Sequence, residues 1–261
     1  MFVSTLLVWA AAQTSAADPI PGVPLHRWTV DYGRESCTLA RRTGGERSSV
    51  IALNAGLGLE PGELLILDGG AGLDQGLQGQ LTVRLDDNAP ISLRASPERR
   101  NGLPLVRLSP IPDNFIERLA GADRLSVATE DAIAFSVPLS GAREATEELT
   151  RCNDDLLQSW GVDVAARRAL GRPASLVGSQ WAAAITPQAS TYLIFLADVS
   201  ERGRPTSCRI VVSSRNPRMD AAVCRLIQSR ARFRPALDPQ GRPVRSQYVS
   251  RIRWVIDGGG E

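Results

Sequence analysis

Residues 203–224 run Gly203-Arg-Pro-Thr-Ser-Cys-Arg-Ile-Val-Val-Ser-Ser-Arg-Asn-Pro-Arg-Met-Asp-Ala-Ala-Val-Cys224, and their neighbours complete one folding unit. Glu201 to Pro205 is turn chemistry, with Gly203 and Pro205 in it. Thr206–Ser213 follows as a strand with Cys208, Ile210 and Val212 on one face, because side chains alternate along a strand. Asn216-Pro217 is a helix start, Asn as cap and Pro in the first turn. Met219, Val223, Leu226 and Ile227 then recur at helical spacing as far as Ser229. Upstream, Ser190–Val199 is a strongly apolar strand. Downstream, Phe233-Arg-Pro-Ala236 leaves the helix and Asp238-Pro-Gln-Gly-Arg242 turns the chain. Ser246–Ile256 is a long strand in which Tyr248, Ser250, Ile252, Trp254 and Ile256 alternate with Gln247, Val249, Arg251, Arg253 and Val255. The order ββαβ makes an α+β unit: a small antiparallel sheet with one helix packed across it. Ser250, Ile252 and Trp254 should face the helix. Arg251 and Arg253 should sit on a wet reverse face.

Working back towards the N-terminus, residues 18–160 read as a mostly-β, sandwich-like or barrel-like domain ending in a helix. Nine short strands are expected: Trp28–Tyr32, Cys37–Arg41, Ser48–Leu53, Leu64–Leu67, Leu81–Leu85, Ile91–Arg94, Leu103–Leu108, Leu125–Ala128 and Ala134–Val137. A short helix from Asn114 to Ala120 would be capped by Asp113 and stopped by Gly121. The clearest helix is Ala142 to Trp160, with Ser140 as N-cap, Glu144, Glu147 and Glu148 suiting the helix dipole, and Gly161 as stop. Ala145, Leu149, Cys152 and Leu156 form one apolar stripe on it. Residues 161–177 are a linker, 178–257 the C-terminal domain and 258–261 a tail. Trp181 is expected to pack on the C-terminal domain.

The chain has 261 residues, 43% hydrophobic and 22% charged, enough apolar material for one large core or two small ones. All 30 basic residues are arginine. They are unevenly spread: Asp198 to Asp257 holds 13 Arg against five acids, +8, whereas residues 1–197 are −5. Residues 1–17 carry no charged side chain. Phe2 to Ala12 is apolar save Ser4 and Thr5, and Ala12, Ser15, Ala16 and Ala17 follow. These are the marks of an export signal cleaved near Ala16 or Ala17, with an uncleaved inner-membrane anchor as the alternative. The periplasm is the implied compartment.

Four cysteines in an exported chain suggest disulfides. Cys152 lies on the buried stripe of its helix and Cys37 in a strand of the sheet beneath, so these two pair. Cys208 faces the C-terminal helix and Cys224 adjoins that helix's apolar stripe, so they form the second bond. Each bond stays within one domain.

The run Gly203 to Ser214, the helix start Asn216 to Cys224, then Arg232-Phe-Arg-Pro-Ala236, Gly241-Arg-Pro-Val244 and the last strand together resemble the TonB C-terminal domain family over roughly residues 178–257. That resemblance implies a non-enzymatic protein whose final strand pairs edge-on with an extended peptide of an outer-membrane receptor, in service of transmembrane transport. The residues it assigns to the partner are Gln247, Tyr248, Val249, Ser250, Arg251, Ile252 and Arg253. A force-transmitting TonB also needs a long Pro-rich spacer, whose place is taken here by a folded domain; a periplasmic TonB-like protein fits better. The alternative is a periplasmic scaffold or homodimer that uses the same edge on itself. More faintly, Trp28-Thr-Val-Asp31, Ser36-Cys-Thr-Leu39 and Phe135-Ser-Val-Pro-Leu-Ser-Gly141 resemble the invasion-associated locus B type of periplasmic domain, which implies a β-sandwich and no activity.

Other signals are weaker. With His26 as its one histidine, the chain offers no His-based triad and no multi-His metal site. Gly69-Gly-Ala-Gly-Leu-Asp74 matches half of a calcium nonapeptide, but calcium sites of that kind need stacked repeats. Asp86-Asp87 and Asp154-Asp155 are sequence neighbours whose side chains diverge, which suits turns and surfaces. Ser140-Gly141 and Ser213-Ser214 have no histidine base. No cofactor and no metal are expected. The Arg-rich C-terminal domain suits an acidic envelope surface, and the exported context argues against nucleic acid.

Overall fold

The computed structural model describes residues 26–44, 48–57, 62–67, 79–100, 102–129, 133–178, 185 and 189–254. The signal-like segment, the Gly69–Asp74 loop, Trp181 and the 258–261 tail lie outside them.

Nine strands, β1 (Trp28–Tyr32), β2 (Cys37–Thr43), β3 (Ser49–Asn54), β4 (Glu63–Leu67), β5 (Gly79–Leu85), β6 (Ile91–Arg100), β7 (Leu103–Ser109), β8 (Arg124–Ala128) and β9 (Ile133–Pro138), make one sheet in the order β1-β2-β3-β4-β7-β6-β5-β8-β9. All nine expected strands are there, eight of them within two residues at each end and β6 six residues longer than expected. The sandwich is not. A two-sheet sandwich would break the ladder somewhere; instead β4 pairs antiparallel with β7, Leu64 opposite Leu108, and joins what would have been two sheets into one. Alternation tells which face of a strand is buried but not which strand lies beside it. β6 runs on past Arg94 through Pro97. Beyond Ala95 its one neighbour among the described residues is β7, the edge setting in which a strand proline is tolerated.

The sheet curls around its apolar face. Leu39, Val83, Leu85, Leu108, Leu125 and Val137 are fully buried there, with Phe115 and Leu119 of α1 (Phe115–Ala120) and Leu149 of α2 (Ala142–Ser159). The sulfur atoms of Cys37 and Cys152 lie 1.97 Å apart, tying β2 to α2. The helix caps differ from expectation. Gly141, at φ 77°, is the N-cap of α2, and Asn114 rather than Asp113 precedes α1, with no side-chain cap bond at either. Ser140 has other work. Its carbonyl accepts Trp28 Nε1 at 3.0 Å and Arg41 Nη1 at 3.0 Å, while Arg41 Nη1 also reaches Pro138 O at 2.9 Å. These bonds lace β1 and β2 to the chain leaving β9, drawing the two ends of the sheet together. Arg41 is only 3% exposed, and burial lowers its guanidinium pKa below the ordinary value.

The junction 161–177 holds α3 (Val164–Arg168), capped by Asp163, whose carboxylate accepts Ala166 N–H at 2.9 Å, and β10 (Ser175–Leu176). β10 pairs with β13 (Phe233–Arg234). The second sheet has three strands in the order β12 (Arg209–Val212), β11 (Thr191–Val199), β16 (Ser246–Trp254). Helix α4 (Pro217–Arg230) starts as expected: the Asn216 side chain accepts the N–H groups of Arg218 and Met219. A small ladder, β14 (Ala236–Leu237) with β15 (Pro243–Val244), precedes the final strand.

One face of the three-stranded sheet packs on α4. Leu193, Phe195, Ala197 and Val199 meet Val223 and Ile227, with Tyr248, Ile252 and Trp254 partly buried beside them. The sulfurs of Cys208 and Cys224 are 2.03 Å apart, fixing the helix to the sheet. Gly203 is required where it stands: at φ 71°, a Cβ on it would lie 2.0 Å from Phe233 O. Its carbonyl accepts Phe233 N–H at 2.9 Å.

The other face corrects two expectations. It is not wet. Ile194, Leu196 and Val249 form a buried cluster with Leu57, Leu157, Trp160, Val162 and Val164. Arg251 and Arg253 do share that face, but Val249 between them and Gln247 is 2% exposed. Second, Val212 does not share a face with Ile210. Phe195 is opposite Ile210 while Ile194 is opposite Val212, so Val211 is an extra residue and the bulge turns Val212 to the reverse side.

Candidate partner-binding edge

Strand β16 lies at the end of its sheet, with β11 as its one strand neighbour among the described residues. Their register is unbroken from Thr191 opposite Trp254 to Val199 opposite Ser246. Thr206 N–H donates to Asp198 O at 2.8 Å, so the backbone of Asp198 is directed to the β12 side. In an antiparallel ladder successive residues direct their N–H and C=O to opposite sides. Hence Val199, Ala197, Phe195, Leu193 and Thr191 address β16 and bond Ser246, Tyr248, Ser250, Ile252 and Trp254. The backbones of Gln247, Val249, Arg251 and Arg253 are then directed away from β11, towards the sheet edge.

All seven residues expected to meet a partner therefore lie on one strand, in two sets. Tyr248, Ser250 and Ile252 spend their backbone groups on β11 and turn towards α4. Tyr248 sits with its ring centroid 5.0 Å from Phe233 and 6.1 Å from Phe195. Gln247, Val249, Arg251 and Arg253 point their backbone outward and their side chains to the reverse face. That face is occupied. Gln247 Oε1 accepts Asp163 N–H at 2.7 Å, and its Nε2 donates to Gly161 O at 3.3 Å. The Arg251 guanidinium lies 5.5 Å from the centre of the Tyr192 ring, and Tyr192 donates its hydroxyl to Glu35 Oε1 at 2.8 Å. That bond raises the Tyr192 pKa, with burial adding to it. What the edge presents is thus mainly main chain, aligned by side chains that are already held.

Glu35, Tyr192, Gly161 and Asp163 were not legible as part of this site. They come from a turn, an apolar strand and a helix cap, and only the docking of the sheet on α2 and α3 brings them to β16. Arg209 strengthens that docking, donating to Trp160 O at 2.6 Å, as does Arg167, donating to Leu57 O at 3.1 Å.

The acidic and hydroxyl pairs have structural work. Asp86 accepts Arg124 N–H at 2.8 Å and Asp123 N–H at 3.1 Å, closing a turn. Asp154 pairs with Arg168. Ser213 and Ser214 both donate to Asp220, each at 2.6 Å, bracing the loop before α4. Among the described residues no group of His, Cys, Asp and Glu could hold a metal ion, and no helix is long and apolar enough to cross a membrane.

A disulfide-pinned helix across an antiparallel sheet with a terminal edge strand defines an α+β class of module. Residues 182–256 match the family described as Gram-negative bacterial TonB protein C-terminal, so this end of the chain is similar to that domain. The crystal structure of invasion associated protein B from Bartonella henselae is also similar, at 14% identity and TM-score 0.37, over 50% of this chain and 96% of that one. No curated protein matches the chain.

Proposed function

We propose that this is a periplasmic, non-enzymatic TonB-like protein that binds an outer-membrane partner, such as the plug peptide of a TonB-dependent receptor, by adding that peptide's strand to β16. The observation that carries it is the outward direction of the Gln247 and Val249 backbones at the end of the sheet. Main-chain hydrogen bonds would supply the affinity and alternate side chains the register. Residues 18–160 form the unit that occupies the place of a spacer, and 178–257 the unit that binds.

Proline tests it, because proline removes one N–H and fixes φ. Val249→Pro removes an outward donor, Ser250→Pro an inward one, and Val249→Ala controls for the lost side chain. Ser250→Pro should cost about 1–3 kcal/mol of stability through the broken ladder bond. Val249→Pro should melt close to Val249→Ala yet no longer crosslink to an outer-membrane receptor in intact envelope. Capture of the receptor by Val249→Pro at wild-type yield would remove this edge from the site. Recovery of the protein itself and nothing else would point to the homodimer.

A further inference from the structure

We propose that the outer face of α4 is a docking surface for an anionic phospholipid membrane. α4 covers one face of its sheet while α2 and α3 cover the other, so the helix forms the layer farthest from the N-terminal unit. Met219, Val223 and Ile227 point inward, which leaves Arg218, Ala221, Arg225, Gln228 and Ser229 on the exposed side. Arg218 and Arg225 are seven residues apart and fall on one line, with Arg215 just before the helix and Arg230 at its end. None of these four forms an ion pair among the described residues, whereas Arg242 and Arg245 are neutralised by Asp238 and Glu201. The one acid of α4, Asp220, is committed to Ser213 and Ser214. Asp220 is half-buried, so the exposed positions of the helix carry arginines and no acid.

Three further features fit a membrane. The charge is polar along the chain, +8 from Asp198 to Asp257 and −5 before it, so an anionic surface would attract one end and repel the other. The small side chains of Ala221 and Ala222 let the helix approach a headgroup plane closely. The Cys208–Cys224 bond makes the helix a rigid platform. Two disulfides also suit an oxidising, exported setting, where lipid phosphate is abundant and nucleic acid is not. β16 lies at the side of the sheet, so docking through α4 would leave its edge open to a partner held in the same membrane.

The test uses the full chain and sedimentation with vesicles of about one-third phosphatidylglycerol against vesicles of phosphatidylcholine alone, at low and high salt. Binding is expected to the first only, and to fall as salt screens the charges. Arg218→Gln with Arg225→Gln should weaken it roughly 30-fold, from ~1 kcal/mol per basic residue near such a surface. Arg94→Gln with Arg99→Gln, on the β6–β7 hairpin, should leave it unchanged. Should the first pair fail to fold, Arg215→Gln with Arg230→Gln takes its place. Equal binding to both vesicles, an equal loss in the hairpin control, or binding to purified cell-wall sacculi without binding to anionic vesicles would overturn the proposal. None of these outcomes depends on the edge of β16.

Discussion

The two sheets treat their edges in opposite ways. The nine-stranded sheet draws its end strands together: Trp28 and Arg41, from β1 and β2, bond to Ser140 and Pro138 beyond and at the end of β9. The three-stranded sheet ends on β16, whose side chains are held on both faces while alternate backbone groups are directed outward. An edge strand invites pairing, and proteins usually blunt or cover it. One unit has spent buried polar contacts on closing itself. The other has spent them on keeping a strand straight and in register at its margin. The contrast separates a sheet drawn closed from one that ends on an edge strand more clearly than composition does.

The contrast can be broken first at its disulfides. Cys37–Cys152 spans 115 residues and Cys208–Cys224 spans 16. Loop entropy gives about 4–5 kcal/mol for the former and ~3 kcal/mol for the latter. Replacing Cys37 and Cys152 by Ser should therefore lower the denaturant midpoint more than replacing Cys208 and Cys224. The reverse order would mean that the curled sheet holds without its staple.

Trp160→Ala addresses the seam between the units. The side chain is 7% exposed and packs in the cluster with Ile194, Leu196 and Val249. A loss of about 3–4 kcal/mol is expected, from the burial and the cavity left behind. If the units unfold as one, Trp160→Ala should leave a single transition at a lower midpoint. Two separated transitions in the variant alone would show that this seam is what couples them.

Much of this was legible in the sequence, and what was not has a common cause. Alternation marked every strand of the first sheet, and Asn216-Pro217 marked the start of α4, because those signals are local. The disulfide pairs followed from which face of a helix or strand each cysteine occupied. What failed was long-range. Nothing near Leu64 says that its neighbour across the ladder is Leu108, so one curled sheet could pass for a sandwich. Nothing near Val249 says that Trp160 covers it. Ser140 looked like a helix cap because caps are local, but its carbonyl bonds to Trp28 from 112 residues away. The seven residues of the candidate edge were named as a block, and only the register with β11 divides them into inward and outward sets.

Gly203→Ala gives a smaller, local effect. A β-carbon there meets Phe233 O at 2.0 Å on a backbone of positive φ, so the turn must shift and the Gly203–Phe233 bond with it. The cost should be about 1–3 kcal/mol, the range for backbone strain of this kind. Circular dichroism melting of Gly203→Ala against Gly241→Ala separates contact from conformation. Gly241 has φ 79° but nothing within 4 Å, so its variant should lose only the conformational part. Equal losses would mean that Phe233 yields freely.

The smallest effect is expected where the two units touch through hydrogen bonds. Tyr192 donates to Glu35 and carries Arg251 on its ring. Tyr192→Phe keeps the ring, and with it the contact to Arg251, but removes the donor. Because the hydroxyl is partly exposed, the loss should sit at the low end of the usual range, about 0.5 kcal/mol. Its pH dependence carries more information than its size. The Tyr192 pKa is raised by the bond to Glu35, so the folded state holds the phenolic proton more tightly than the unfolded one. The contribution is then fully present below the ordinary tyrosine pKa of ~10 and fades as pH rises through the raised folded value. Wild type should approach Tyr192→Phe in stability as alkali deprotonates the phenol, apart from whatever other tyrosines contribute equally to both. Glu35→Gln tests the same bond from the acceptor side, since an amide oxygen still accepts but carries no charge to hold the proton. A difference between wild type and Tyr192→Phe that stays constant through the alkaline range would show that the hydroxyl acts by packing, and that the Glu35 contact adds nothing to the seam.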